Sequence, residues 1–428
     1  MSLLSALNIG TAGLQSNSTE LSVIGDNIAN ANTIGFKAGR AAFQDQLMNE
    51  IMGSASGGQA GMGSRLQAIQ RLVTQGSITQ TGLATDLAID GPGYFVVRGS
   101  SAGAQGQFYT RAGQFRVDDS DYLTNLDGLR VQGYATSATG QARGNLGDLQ
   151  VGSATAPAVA TGNVTIRANL DANAPIPAAA FDPNNPTATA AFASTTTVYD
   201  TLGKAHTVDV YWQKTAADTW AFHAVTDAGN VGGTPGDGAE IATGELIFDT
   251  EGKLTSVTQS SNFLPAGATA PQALNFNLGT PVPTGTGLDG VTSFVGTGTT
   301  TFVNQDGNSY GALAGIQIND SGEVVGSFTN GVTRVLGQVA VADFSAADRL
   351  ERMGGNLLRE TADSGQPTIG DAGTGGRGSI QSGALEQSNV DLANEFVRMI
   401  AAQRGFQANS KTITTADQLL QELMQLKR

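Results

Sequence analysis

The sequence predicts a mainly β protein with a long α-helix at each end of the chain. Apolar residues recur every seven positions in both terminal segments, a spacing typical of helices that pair along a narrow stripe. Ten of the twelve prolines lie between Pro157 and Pro283, which leaves both ends free to be helical. Between the ends, apolar and polar residues alternate around Gly, Asn and Asp turns, which indicates β-hairpins. The predicted fold class is nested, discontinuous β domains with N- and C-terminal coiled-coil-like helices.

The N-terminal helix is predicted from Leu3 to about Thr33. Its two seam positions contain the apolar residues Leu3, Leu7, Leu14, Leu21, Ile24 and Ile28, and Gly10 and Asn17 fill the remaining places. Asn32 and Gly35 follow, and both residue types tolerate the left-handed backbone that ends a helix. Such a helix has about 30 residues and is roughly 45 Å long.

The C-terminal helix is predicted from about Leu385 to Leu426 and has the stronger pattern. One ladder contains Leu392, Met399, Phe406, Ile413 and Leu420, and the companion ladder contains Phe396 and Met424. An isolated helix with so narrow an apolar stripe is marginal in water. We therefore expect both ends to fold by pairing with each other and with neighbouring copies, which makes these apolar residues the predicted assembly interface. The alternative is that each helix packs on its own β domain.

The segments between the helices divide by composition and by style of turn. The strand-and-turn pattern from Phe115 to Tyr134 is repeated from Ile316 to Phe344, on the far side of the Pro-rich centre. One β domain built from both halves and interrupted by a second one accounts for this order. The predicted parts are a terminal helical assembly domain (1–35 and 385–428), a Gly-rich connector (36–75 and 363–384), an inner β domain (76–162 and 304–362) and an inserted outer β domain (163–303).

The amino-acid composition disfavours catalysis and metal binding. The chain has no Cys and two His, so thiolate sites, a Cys nucleophile and a three-His zinc site are excluded. Gly373, Gly375 and Gly378 match G-x-G-x-x-G, but a Pro- and Gly-rich linker precedes them where a nucleotide site needs a strand. No catalytic, cofactor-binding or metal-binding residue is predicted.

Two further patterns have a functional and a structural interpretation. His206, Val208, Val210 and Trp212 share one face of a predicted strand, near Trp220, and this favours β-core packing over an aromatic-lined binding surface. The acidic run from Asp118 to Asp121 departs from calcium-loop spacing, which favours a hairpin turn.

Charge and hydropathy restrict the partners. With 23 basic and 37 acidic residues the net charge is −14, so a phosphate-binding surface for nucleic acid is not predicted. No apolar run approaches the roughly 18 residues of a membrane span, so no membrane insertion is expected. The first residues also lack the features of a cleaved secretory signal, so we expect the protein to stay inside the cell or to leave by another route. A secreted β-rich adhesin or carbohydrate-binding protein would account for the centre but not for the terminal heptads.

Several motifs resemble one protein family. NIANANTIGFKAGR (27–40) resembles the N-terminal signature of the bacterial flagellar rod, hook and hook-associated axial proteins, and residues 382–426, with Ser-Asn-Val-Asp and Gln-Arg-Gly-Phe-Gln-Ala-Asn, resemble their C-terminal helix. DLAIDGPGYFVV, FYTRAGQF and YLTNLDGLRVQGY are similar to the shared β domain of the rod and hook members. The insert 163–303 resembles the outer domain of hook members, which favours a hook-type subunit over the alternative, a distal rod or hook-associated one. Asp119-Ser120-Asp121 departs from the Gly-containing turn that is commoner in the family.

The resemblance implies a structural subunit and not an enzyme. It implies a tube outside the cell, exported through the flagellar type III apparatus without a cleaved signal peptide, that acts as a flexible universal joint and carries torque from rod to filament. The implied partners are further copies of the chain, the distal rod, hook cap and hook–filament junction proteins, and the export apparatus. By position, the two apolar ladders would form the inner helical layer, and Gly53–Ser64 would belong to the connector between neighbouring subunits.

Overall fold

The computed structural model describes residues 3–47, 61–101, 103–136 and 143–426. The chain forms two compact units. Unit 1 comprises Met1–Ala154, Gly315–Ser327 and Thr333–Arg428, and unit 2 comprises Thr155–Ala314 and Phe328–Val332. Strands predominate and one long helix lies near each end of the chain, which confirms the predicted fold class.

The elements are numbered in chain order. The first group is α1 (Leu3–Ala29), β1 (Gly39–Leu47), β2 (Gly61–Arg71), β3 (Ile78–Gln80), β4 (Leu87–Asp90), β5 (Tyr94–Ser101), β6 (Ala104–Thr110), β7 (Phe115–Val117), β8 (Leu123–Asn125), β9 (Arg130–Thr136) and β10 (Arg143–Asp148). The second is β11 (Thr155–Ala156), β12 (Asn163–Asn169), β13 (Phe192–Tyr199), β14 (Ala205–Ala216), β15 (Thr219–Asp227), β16 (Gly238–Phe248), β17 (Leu254–Ser261), β18 (Asn275–Asn277) and β19 (Thr299–Gln305). The third is β20 (Gly311–Ile318), β21 (Glu323–Phe328), β22 (Thr333–Asp343), β23 (Glu351–Gly354), β24 (Leu357–Arg359), β25 (Thr368–Asp371), β26 (Ser379–Ser382), β27 (Ala384–Glu386) and α2 (Leu392–Leu426).

Unit 1 is built around an antiparallel sheet in which β22, β9, β5, β6, β24 and β23 are successive neighbours. Strands from both halves of the chain form this sheet: β9, β5 and β6 precede unit 2 in sequence, and β22, β23 and β24, which follow it, lie on both sides of them. Tyr94, Val96 and Tyr109 are buried on the sheet, and the ring of Tyr109 meets Phe344 edge to face at 4.7 Å. The C-terminal part of the chain adds two further pairings, β26 with β4 and β27 with β3.

Unit 2 contains a five-stranded antiparallel sheet, β13 to β17 in sequence order, and a three-stranded sheet, β18-β12-β19. Every second side chain of β14 from His206 to Trp212 is buried, which confirms the predicted shared face. His206 is fully buried and its Nε2 lies 3.0 Å from Oδ2 of Asp200, so it is a hydrogen-bonded core histidine. Trp220 and Phe222 complete the centre of the core. We therefore interpret this region as packing and not as a binding surface.

The predicted connectors contain more structure than a Gly-rich linker has. Within the predicted Gly-rich connector 36–75, β1 and β2 pair as an antiparallel ladder from Gly39 opposite Arg71 to Leu47 opposite Gly61, and residues 48–60 lie outside the described part of the chain. In place of an extended 363–384 segment, β25 pairs with β22 and β26 pairs with β4. The composition misled here because sheet pairing uses backbone groups, which small residues supply as well as large ones.

The acidic hairpin turn is confirmed. Oδ1 of Asp118 accepts hydrogen bonds from the backbone N–H groups of Ser120 and Tyr122, at 2.9 and 2.8 Å. Asp121 takes a φ of 68°, the left-handed conformation that Gly adopts at no steric cost and that Asp tolerates. None of the described helices is long and apolar enough to cross a membrane.

Candidate assembly interface

The terminal helices α1 and α2 pair with each other along a seam of small residues. Gly10 lies opposite Ile413, and Asn17 lies opposite Gly405. As the residue number increases along α1, the number of the residue opposite it in α2 decreases, so the two helices are antiparallel. A Cβ built on Gly10 would lie 2.8 Å from Cγ1 of Ile413, and one built on Gly405 would lie 2.9 Å from Oδ1 of Asn17. The seam therefore depends on missing side chains, which allow the two backbones to approach closely.

The face of α2 that meets α1 differs from the prediction by one residue. The buried ladder consists of Glu395, Ala402 and Ala416, at 6, 3 and 4% exposure, and it includes the half-buried Asn409. The predicted companion ladder began at Phe396, which is 50% exposed. Phe396 therefore does not belong to the buried ladder within one chain, and its place in the assembly interface stays a prediction. The small and polar residues of the buried ladder leave no apolar periodicity to detect.

The other predicted interface residues fall into three groups. Ile24 is buried; Leu7, Leu14, Leu21, Ile28, Met399, Ile413 and Leu420 are half-buried; Leu392, Phe396 and Phe406 are exposed. The side chains of Leu3 and Met424 lie outside the described part of the structure. Pairing within one chain therefore leaves much of the predicted apolar surface accessible.

Gly10 and Gly25 allow a paired test of the seam. Both lie in α1, and nothing approaches within 4 Å of a Cβ built on the exposed Gly25. Gly25→Ala should raise the free energy of unfolding by about 1 kcal/mol, because Ala is the better helix former. Gly10→Ala makes the same helix gain, but the new methyl overpacks the seam against Ile413, so its free energy of unfolding should lie about 1–3 kcal/mol below that of Gly25→Ala. Urea unfolding of both full-length variants measures this, and equal gains would show that the helices are not in contact at Gly10.

A second side of α1 rests on the β1–β2 hairpin. Oγ of Ser16 lies 3.0 Å from Oγ of Ser64, and a Cβ on Gly63 would meet Cβ of Ala12 at 3.0 Å. The predicted separation of the N-terminal helix from the strands by a linker is therefore corrected: in its place, part of that linker forms the surface on which α1 packs.

Two asparagines, the buried Asn27 and the half-buried Asn389, connect the helices to the strands. Nδ2 of Asn27, at the end of α1, donates to the backbone oxygen of Gly39 at 2.9 Å and to Oε2 of Glu395 at 3.3 Å. Oδ1 of Asn389, before α2, accepts from the backbone N–H of Ala38 at 2.8 Å, and its Nδ2 donates to the backbone oxygen of Leu72 at 2.9 Å. Both residues belong to the motifs that carried the family resemblance, and these contacts give each of them a structural role.

A buried ion cluster lies at the same junction. Glu386 is fully buried and its two carboxylate oxygens bind Lys37 and Arg111, the latter at 3.1 Å. Burial lowers the pKa of the Lys37 ammonium, and its hydrogen bond and charge interaction with Glu386 oppose that shift. The cluster joins the segment after α1, the segment before α2 and the β sheet. Sequence reasoning missed it, because hundreds of residues separate Glu386 from its partners and no local pattern relates them.

The start of α2 is fixed by a capping residue. Oδ1 of Asp391 accepts from the backbone N–H groups of Ala393 and Asn394, at 2.9 and 3.2 Å, which satisfies donors that the first helical turn leaves free. The helix therefore begins at Leu392. The predicted start, near Leu385, was wrong. Residues 384–386 form β27 in its place.

An apolar stripe remains exposed on the first half of α2. Leu392, Phe396 and Ile400 are 42, 50 and 52% exposed, and a spacing of four residues places them on one side of the helix. Phe406, 40% exposed, lies two heptads after Leu392, on the same predicted ladder. We call these four residues the outer stripe. Its members are large apolar side chains in a row, which is typical of a surface that another protein covers.

Four family models match the chain. They are the flagella basal body rod protein (residues 7–37), the flagellar hook protein FlgE/F/G D1 domain (88–171), the flagellar basal body protein FlaE D2 domain (169–308) and the flagellar basal body rod FlgEFG protein C-terminal region (381–426). The matches follow the order of the fold, from α1 through both β units to α2. They define the class as the flagellar rod and hook proteins.

Relatives with full-length similarity identify the member of that class. The flagellar hook protein FlgE of Borreliella burgdorferi is 35% identical over 99% of this chain and 100% of its own length. Those of Escherichia coli and Treponema pallidum are each 33% identical, over 99% and 100% of this chain and all of their own lengths. The chain belongs to the flagellar hook protein FlgE family. The predicted hook-type subunit is thereby confirmed over a distal rod or hook-associated one.

Proposed function

We propose that the chain is a structural subunit of the flagellar hook and that its copies assemble, through α1 and α2, into a flexible curved tube. The tube transmits motor torque from the rod to the filament. The outer stripe carries this proposal: pairing of α1 with α2 uses the inner face of α2 and leaves Phe396 and Phe406 exposed. Burial of apolar side chains between subunits is the dominant favourable term in most protein association.

The same proposal assigns each domain of the chain a place in the tube. Residues 1–35 and 385–428 form the assembly domain in the innermost layer of the tube, and the inner β domain and the insert 163–303 surround it. Bending requires outer contacts that slide, and the low aromatic content, 6% of all residues, fits surfaces of that kind. The role is structural and not catalytic, in keeping with a residue stock that has no Cys and two His.

Partners and location follow from the place of a hook in the flagellum. We propose contacts with the distal rod protein, the hook cap and the hook–filament junction proteins, besides further copies of the chain. The subunit is exported by the flagellar type III apparatus, without a cleaved signal peptide, and functions outside the cell. The support for these finer statements is membership of the family.

Truncation tests the assembly role. A chain that ends at Asp391 lacks α2 but keeps Glu386 and Asn389, so it should remain folded and sediment as a monomer under conditions in which the full-length chain polymerises. A chain without residues 1–26 should behave in the same way and keeps Asn27. Analytical ultracentrifugation gives the oligomeric state and circular dichroism gives the fold. Filaments from either truncated chain would contradict the proposal.

A further inference from the structure

Unit 1 contains a cavity of about 250 Å³ whose wall is rich in positive charge. Four cationic side chains line it: Lys37, Arg71, Arg111 and Arg352. It lies beside the junction of α1 with the strands, since the loop after α1, the end of β2, and β23 and β24 contribute the rest of its wall. A site with four cations in one small cavity differs from the rest of a chain whose net charge is −14.

The carboxylates in contact with these cations do not balance them. Lys37 and Arg111 share the single carboxylate of Glu386, and Arg352 binds Oδ2 of Asp26 at 2.7 Å. Arg71 has no carboxylate partner among the described ion pairs; its Nη2 donates to the backbone oxygen of Leu350 at 2.9 Å. Asp348, which acts on Arg71 at longer range, is paired with Arg349 at 3.8 Å. The wall thus holds more positive than negative charge.

Two of the guanidinium groups also have unused donors. The Nη1 of Arg71 and the Nε of Arg111 are buried and make no hydrogen bond within the described residues. The side chain of Arg111 is only 6% exposed. Burial also lowers the pKa of Arg71, in keeping with a cation that lacks a full counter-charge. A buried donor without a partner costs about 1–3 kcal/mol, and more when it is charged.

We propose that this cavity binds a small oxyanion, a phosphate or a carboxylate, between the guanidinium groups of Arg71, Arg111 and Arg352. The planar guanidinium presents paired N–H donors that match the oxygens of either group. The oxyanion accepts the unused hydrogen bonds and neutralises the excess charge. Bound there, it connects β2 and β23 beside the end of α1, so it stabilises the junction from which the helices extend. This inference does not depend on the proposed function.

Isothermal titration calorimetry of the full-length chain tests the site, with inorganic phosphate and with sodium acetate as separate probes at constant ionic strength. We expect saturable binding of at least one probe at one site. Arg352→Gln should weaken it roughly tenfold or more, the value of one charged hydrogen bond. The Arg352 side chain is 55% exposed, so this variant should keep its fold. Arg71→Gln, the more buried change, should weaken binding at least as much.

Arg116→Gln is the matched control, because Arg116 is an exposed arginine of unit 1 that does not line the cavity. It should bind the probe as the unchanged chain does. Tighter binding of phosphate assigns the site to a free tetrahedral oxyanion, and equal or tighter binding of acetate assigns it to a carboxylate such as an acidic side chain. Absence of saturable binding for both probes overturns the proposal, as does unchanged affinity in folded Arg352→Gln.

Discussion

Phe406→Asp is expected to abolish polymerisation of the full-length chain while its free energy of unfolding changes by no more than about 0.5 kcal/mol, the usual range for a surface substitution. The ring is 40% exposed, so we expect the monomer to lose little packing. In the proposed polymer, another copy covers the same position. The lost burial amounts to roughly 1.5–3 kcal/mol per contact. A buried, unpaired carboxylate adds roughly several kcal/mol more.

Sedimentation velocity measures the assembly of this variant, and thermal unfolding followed by circular dichroism measures its stability. Ala408→Asp is the control, because Ala408 is exposed on α2 two positions later and so lies on a different side of the helix. It introduces the same charge and should still polymerise. Polymers of Phe406→Asp would remove the outer stripe from the interface. A large loss of thermal stability would instead place Phe406 in the core of the monomer.

Glu386→Ala should destabilise unit 1 by about 3–5 kcal/mol, the cost of leaving buried charges without their partner. The variant leaves two buried cations without their carboxylate partner: Lys37 and Arg111, whose side chains are 4 and 6% exposed. It also removes the acceptor for the backbone N–H of Gly76, 2.9 Å from Oε1 of Glu386. The effect should appear as a lower urea midpoint for the full-length chain.

Glu351→Ala is the control for that prediction. Glu351 binds Arg359 at 2.6 Å, but both side chains are nearly half exposed, at 49 and 45%. An exposed ion pair contributes about 0–1 kcal/mol, so this variant should unfold close to the unchanged protein. Losses of equal size in the two variants would show that burial does not give Glu386 a special role.

The elements that sequence reasoning placed correctly are those with a strong local period. The seven-residue ladders located both helices, and the alternation from His206 to Trp212 identified the buried face of β14. Their bounds were less accurate where a capping residue decides the end. The observed start of α2 lies seven residues after the predicted Leu385, because the carboxylate of Asp391 accepts hydrogen bonds from the first free N–H groups of the helix.

The interface itself was only partly predictable. Hydrophobic periodicity detects large apolar residues, so it found Leu392, Phe396 and Phe406 of the outer stripe but not Ile400. It placed Gly10 on a seam position only as a gap in an apolar ladder, and it missed Gly405. Glu386 and its cationic partners were missed for a different reason. Each is an ordinary charged residue in its own sequence neighbourhood, and only the fold brings them together.

Electron cryomicroscopy of the assembled full-length chain tests the central claim most directly. The account predicts short curved tubes in which paired α1 and α2 form the innermost layer, with Phe396 and Phe406 covered by neighbouring copies. Tubes in which these side chains face solvent, or a chain that stays monomeric under all polymerising conditions, would contradict it.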